Sequence, residues 1–420
     1  MKKHSLSALV AAGLLAGGLS VTSANAADLG GNCCADLEER IAELEATTAR
    51  KGNRKVSLTI SGWVAQQVTY WDDGTESNTY VGDVGQTLSS HVKFTGQATI
   101  SPGWTAGYVL HLEAPSADSL SVSEDNDDGV DAVTVLQSYW FIKSDHLGKV
   151  GIGKQSAASD NTAILVDGSG SLVPANWVFF DVNSFTGSGN GINFGEFNAC
   201  AEGGAAGDCF GVPLNVVRYD SPTFGGFSFS ASWGEDDMWD VAARYAGEFG
   251  GFKLAVAGAY SESSDDNAAL GNGVAGAVGD VDSDYFQIGA YAQHVATGLF
   301  IYGAYGDYER EGGAFAITAD AVEQETWYIK GGIRQRWTPL GHTVLYGEYL
   351  NNETELSDVA NSSAELDMFG IGVVQEIDSA AMSLWLSYRH YEGDAEAGSN
   401  VTVLDPDDFD LIKFGALINF

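Results

Sequence analysis

The stretch "DFDLIKFGALINF", Asp408 to Phe420, decides how the rest of the chain is read. Counting back from the end, Phe420, Ile418, Ala416, Phe414 and Ile412 are all apolar, and Asn419, Gly415 and Lys413 fall between them. A period of two is the mark of a strand with two unlike faces. The puzzle is that so apolar a strand ends on an aromatic, with no polar tail after it.

The same period runs back through most of the chain. Leu58, Ile60, Gly62, Val64, Val68 and Tyr70 share one face, opposite Ser57, Thr59, Ser61, Gln67 and Thr69. Trp239, Val241, Ala243 and Tyr245 oppose Asp240 and Arg244, and Trp327, Ile329 and Ile333 oppose Lys330, Arg334 and Arg336. Sixteen such segments can be drawn: 57–71, 88–100, 104–114, 131–143, 149–156, 213–220, 226–234, 238–249, 251–261, 284–296, 299–309, 324–337, 342–351, 365–376, 381–391 and 408–420. Tight turns such as "SPG", "DHLG", "PTFGG" and "TPLG" alternate with longer acidic loops such as "DDGTESNTYVGDVGQT". An even strand number, with short turns at one end and long loops at the other, is the layout of an antiparallel transmembrane β-barrel. The expected fold is therefore all-β and sixteen-stranded, over residues 56–420. A closed barrel has no free edge, so the final strand pairs with the first. Phe420, Ile418, Phe414 and Ile412 then face lipid, with Phe420 at the periplasmic interface.

The N-terminus reads differently. Lys2 and Lys3 precede "LSALVAAGLLAGGL", and Ala24-Asn25-Ala26 has the small-x-small form of a cleavage site, so residues 1–26 read as a secretory signal peptide. Net charge is −37, and cleavage would remove two lysines and no acid, leaving the chain more negative still. That sign is wrong for phosphate recognition and argues against nucleic acid as a partner. Residues 27–55 hold one helical stretch, "ADLEERIAELEATTARKGNRK", whose Leu37, Ile41, Leu44 and Thr48 fall on a heptad seam. It is either a short coiled coil or an amphipathic helix lying against its own chain. Cys200 and Cys209 flank a glycine-rich segment, to be read as a disulfide in an oxidising compartment or as two free thiols. No metal-site spacing links the cysteines, and nothing in the motifs calls for a cofactor. "DNDDG" at 125–129 lacks the downstream glutamate of a calcium loop.

The leader ending in Ala-x-Ala, the start "CCADLEERIAELEATTARKGNRKVSLTISGWV", the stretch "HVKFTGQATISPGWTAGY" and the terminal Phe resemble the trimeric general porins of alphaproteobacteria. The resemblance implies an outer-membrane homotrimer for passive diffusion of small hydrophilic solutes, set in lipid and lipopolysaccharide, with Phe420 recognised by the barrel-assembly machinery. Three helices carrying Leu37, Ile41 and Leu44 would then meet below the membrane, where Cys33 and Cys34 could cross-link chains.

The resemblance also implies that the segment after the fifth strand, 157–211, folds into the barrel and narrows it. That segment carries Asp160, Asp167, Asp181, Glu202 and Asp208, while the inward faces of the wall supply Lys93, Arg218, Arg244, Lys330, Arg334 and Arg389. Acid on the loop and base on the wall would set a field across the passage. The acidic composition points to a preference for cations. Arg336 lies nearer the periplasmic turn, and Lys154 shares parity with lipid-facing Val150 and Ile152. An enzyme is disfavoured: His91, His111, His146, His294, His342 and His390 are scattered, with no His-x-Ser or His-Glu-x-x-His arrangement. A sugar-selective channel, through interior aromatics such as Trp63, Tyr139 and Trp385, and a non-conducting structural or adhesive barrel are the alternatives.

Overall fold

The computed structural model describes residues 55–128, 132–186, 194–198, 211–234, 237–265, 281–312, 321–356, 363–397, 402–404 and 407–420. The signal peptide, the heptad residues Leu37, Ile41 and Leu44, the Cys200 and Cys209 pair, Glu202 and Asp208 lie outside the described residues.

Among the described residues, eighteen strands form one antiparallel sheet. They are β1 Thr59–Asp72, β2 Ser77–Gly82, β3 His91–Ser101, β4 Trp104–Glu113, β5 Thr134–Ser144, β6 Gly148–Gln155, β7 Leu214–Asp220, β8 Phe227–Gly234 and β9 Trp239–Phe249. The second half adds β10 Phe252–Asp265, β11 Val281–His294, β12 Leu299–Gly312, β13 Ala321–Thr338, β14 Gly341–Leu356, β15 Ser363–Ile377, β16 Met382–Ala397, β17 Thr402–Leu404 and β18 Phe409–Asn419. Sixteen build the wall. The short β2 and β17 only extend the long-loop ends of β1 and β16.

The sheet closes on itself. β1 pairs with β3 on one side and with β18 on the other, in a register that sets Val64 beside Ile418, Val68 beside Phe414 and Tyr70 beside Ile412. At the seam's end the Gly62 and Phe420 amides each donate to the other's carbonyl at 3.0 Å. The aromatic end is thus a paired position in a ring. Its ring needs no polar cover, because it stands on the outer surface at 60% exposure, in line with exposed Ile418, Phe414 and Ile412. Lipid is the solvent such a face requires.

Short turns join the strands at one end. Gly250 and Gly251 connect β9 to β10 with both φ positive, at +60° and +83°. Two residues of that conformation close a hairpin whose twist matches the strands, and glycine adopts it without Cβ strain.

Wall height is uneven. β3 to β9 run 7 to 11 residues, whereas β10 to β16 run 14 to 18. Several of these tall strands reach further toward the long loops than hydrophobic alternation indicates: β14 continues to Leu356 rather than 351, and β16 to Ala397 rather than 391. Beyond the apolar band the outward positions turn acidic. Asp284 stands across from Glu309, Asp307 from Glu325, and Glu325 from Glu353. Like charges side by side disfavour pairing, so this collar suits water or headgroups and not hydrocarbon.

Candidate functional site

The described residues of the segment between β6 and β7 contact the inner face of the wall and the loop after β4. Those residues include 3-10 turns at Ile164–Val166, Phe179–Asp181 and Phe194–Phe197 and a helical turn at Leu172–Ala175. One side is apolar. Phe185 packs against Trp71 and Phe409, with ring centroids 5.2 and 4.9 Å apart, and Phe194 meets Phe409 at 5.5 Å. Trp71 and Phe409 are inward residues at the upper ends of β1 and β18, so the closing seam is also the loop's apolar dock.

The other side is held by ions. Lys330 on β13 donates to Asp167 at 2.6 Å and to the Asn176 side chain at 2.8 Å, and both charged side chains are fully buried. Arg389 on β16 lies between Asp181 of the loop, at 2.5 Å, and Glu348 of β14, at 3.0 Å. Its remaining nitrogen also donates to the Ala175 carbonyl. Lys413 on β18 donates to the same Asp181 at 2.5 Å and to the Pro174 carbonyl at 3.2 Å. Lys330 and Arg389, expected on the pore-lining wall opposite the loop acids, are in direct contact with those acids. Each charge cancels its partner, and these pairs serve as anchors. Lys93, also expected at the pore surface, is buried on β3 opposite His111 of β4, whose ring packs against that of His91 at 4.2 Å.

Hydrogen bonds, rather than ion pairs to loop acids, hold the loop's first stretch. Gln287 donates to the Ser159 carbonyl at 3.0 Å and accepts from the Ala163 amide at 2.8 Å, while Tyr302 donates to the Ala163 carbonyl at 2.9 Å. The fit is backbone against backbone. A Cβ at Gly289 would sit 2.1 Å from the Ala163 carbonyl oxygen, so any larger residue there must push the loop off the wall. Asp240 accepts from the Ser159 amide at 2.6 Å and from its hydroxyl at 2.7 Å. Further along, Asn352 donates to the Phe197 carbonyl at 2.7 Å.

Between this loop and the wall lies a cavity of about 410 Å³. His111, Gln137, Arg218, Arg244, Lys253 and Arg334 line it from the wall, and Asp160, Asn161, Leu165 and Trp177 from the loop. Three expected wall cations therefore meet here, with Asp160 of the expected acids. Arg218 is paired with Asp220 at 2.8 Å and donates to the Ser156 and Ala157 carbonyls. Arg334 makes two bonds to Glu376, at 3.0 and 2.9 Å. Arg244 differs: its bonds go to the Ser230 hydroxyl, the Ala158 carbonyl and the Thr162 hydroxyl, at 2.6, 2.6 and 2.8 Å, none of them a carboxylate. Arg336 pairs with Asp378 near the short-turn end, apart from this gap.

Sequence reasoning missed Lys413, Glu348, Asp240 and Lys253. All four sit at polar positions of inward parity, a signal present in the sequence but shared with every solvated wall residue. Trp63 and Trp385 are buried, at 4% and 2% exposure, and so offer a sugar no open stacking face.

The loop after β4 carries a titrating carboxylate. Asp118 accepts from the Gln86 and Leu120 amides at 3.1 and 3.0 Å, and burial, aided by nearby Asp83, pushes its carboxyl up to about 6 from the usual 3.8. Between those two values the folded chain holds a proton that the unfolded chain has released. The group's protonated form therefore favours folding, and that contribution fades as pH rises through the window. Resistance of the folded barrel to denaturant should therefore fall from pH 4 to pH 7, and Asp118→Asn should flatten part of that fall. An unchanged pH dependence in the variant would rule Asp118 out as the cause.

A family model for Gram-negative porins matches residues 7–396. A sequence search of curated proteins returns no match. Among solved structures the fold is similar to an anion-selective porin from Comamonas acidovorans, at 15% identity over 87% of this chain and 100% of that chain, with a TM-score of 0.58. It is also similar to Salmonella typhi OmpF in complex with daunomycin (14% identity, 87% and 98% covered, TM-score 0.54). The trimer form of in-vitro folded Vibrio cholerae OmpT matches comparably (14% identity, 87% and 99% covered, TM-score 0.53). At such identities the likeness is one of fold. With the family match spanning nearly the whole length, and a closed sixteen-stranded wall that is apolar outside and polar within, this chain belongs to the Gram-negative porins, integral channel barrels of the outer membrane.

Proposed function

We propose that the protein forms a water-filled homotrimeric channel through which small hydrophilic solutes and ions diffuse passively, with cations favoured at its acidic mouth. The observation that carries this reading is the cavity of about 410 Å³ left between loop and wall, lined by charged and polar groups. Arg218, Arg244, Lys253 and Arg334 outnumber Asp160 and Asp220 around it. The collar of Asp284, Asp307, Glu309 and Glu325, on the outer side of the tall strands around the mouth, has the opposite sign. Two fields of opposite sign therefore act in series, and salt separates them by range.

At about 10 mM salt the screening length is roughly 30 Å, and the mouth's carboxylates reach into the passage; at about 1 M it shrinks to roughly 3 Å and only groups lining the gap act. Reversal potentials of purified protein in planar bilayers, under potassium chloride gradients centred on each concentration, test this. Potassium preference at low salt should fall, or turn toward chloride, at high salt. A salt-independent preference would refute the two-field account, and no conductance at all would refute the channel. Lipopolysaccharide around the collar and recognition of Phe420 by the assembly machinery belong to the same proposal.

A further inference from the structure

On the outer face, where β16 meets β18, the geometry points to a second kind of site. We propose that His390, Glu392 and Asp408 bind one divalent metal ion, best matched to Zn²⁺. His390 and Glu392 are two apart on β16 and so share its outward face, and Asp408 immediately precedes β18, where Asp410 is in register with His390. The His390 Nδ1 lies 2.8 Å from an Asp410 oxygen that also accepts the Tyr388 hydroxyl at 2.6 Å. A proton on Nδ1 held by that carboxylate leaves the Nε2 lone pair free, the second-shell arrangement that orients metal-binding imidazoles. Nε2 points at two more carboxylates, 3.2 Å from Glu392 Oε1 and 3.8 Å from Asp408 Oδ2.

Those separations suit a shared ion. Donors each about 2.0–2.2 Å from one Zn²⁺ lie roughly 3–4.4 Å apart. The three donor atoms all fall within 4.8 Å of one another, so small side-chain movements complete the set. An imidazole among the donors favours zinc over calcium or magnesium, which prefer oxygen alone. Both carboxylates are more than half exposed, leaving at least one coordination position open to the surroundings. The bound ion would tie the residue entering the closing strand to β16. The rival occupant of the same space is a proton, with an imidazolium clasped by three carboxylates.

The test uses the full chain, purified in detergent and stripped of metal, titrated near pH 7.5 with Zn²⁺ against a colorimetric chelator and with Co²⁺ followed by visible absorption. One saturable equivalent per chain is expected. His390→Ala should abolish it, and Asp410→Ala should weaken it by about 10- to 100-fold. Glu323→Gln, across from Glu309 on the acidic collar, should leave it unchanged. Heat-dependent gel migration confirms that each variant barrel is folded. Three results would overturn the site: no binding by the unmodified chain, which assigns the geometry to the imidazolium; non-saturating uptake indifferent to His390; or equal loss in the Glu323 variant, which would mark diffuse attraction to acid.

Discussion

Asp181→Ala should release the loop from the wall and raise single-channel conductance. This carboxylate stands between Arg389 and Lys413, with all three side chains at 5% exposure or less. Its removal leaves Lys413 with the Pro174 carbonyl, and Arg389 with Glu348 and the Ala175 carbonyl. Removing one partner of a buried ion pair costs about 3–5 kcal/mol, because the remaining charge is stranded away from water. Water can relieve that charge if the loop lifts, so the strain should be spent on displacing the loop while the hydrogen-bonded wall stays closed. Larger conductance and faster proteolysis between β6 and β7 should appear together, in a barrel that still migrates as folded. Unchanged conductance and cleavage would mean that the remaining contacts, the Lys330–Asp167 pair and the aromatic dock on Trp71 and Phe409 among them, hold the loop without Asp181.

Arg244→Glu is expected to change what passes more than how much passes. Arg244 lines the gap, and none of its bonds described above goes to a carboxylate. A unit charge about 4 Å from a passing ion is worth roughly 1 kcal/mol in water. Reversing this charge shifts cation and anion barriers in opposite directions, so the potassium-to-chloride permeability ratio should rise severalfold even at about 1 M salt, where the mouth is screened. Arg244→Gln keeps a donor for the Ala158 carbonyl and should give about half the shift in free energy. If both variants alter conductance but not reversal potential, Arg244 supports the loop without setting the field.

The wall was legible in the sequence because its two solvents differ. Where lipid lies outside and water inside, every second residue must be apolar, and the parity of Ile412, Phe414 and Ile418 matches their exposure. The tall ends of β10 to β16 were read short for the same reason. Past the lipid, both faces meet polar surroundings, and outward Glu323 and Glu325 alternate with inward Gln324 and Thr326, which erases the contrast. In the site, residue types and wall parity could be read, but pairings could not. Which acid meets Arg389 or Lys330 depends on the path of a loop that has no repeating pattern. Asp167 and Asp181 find their partners only after the turns at Leu172–Ala175 and Phe179–Asp181 place them. Lys413, inside the most legible strand of all, looked like an ordinary wall residue until the loop was seen above it.

The seam between β1 and β18 also bears on how the barrel forms. Gly62 and Phe420 exchange hydrogen bonds across nearly the whole length of the wall-forming chain, whereas most neighbouring strands meet through a turn of a few residues. Local hairpins can assemble early, but this last pairing must bear the entropy of closing a very long loop, and contacts of such separation form slowly. Until it forms, β1 and β18 each expose a bare edge that can pair with another chain. The loop's aromatic dock, shared between Trp71 on β1 and Phe409 on β18, is incomplete over the same interval. Constriction and closure should therefore be the final events of assembly and should arrive together.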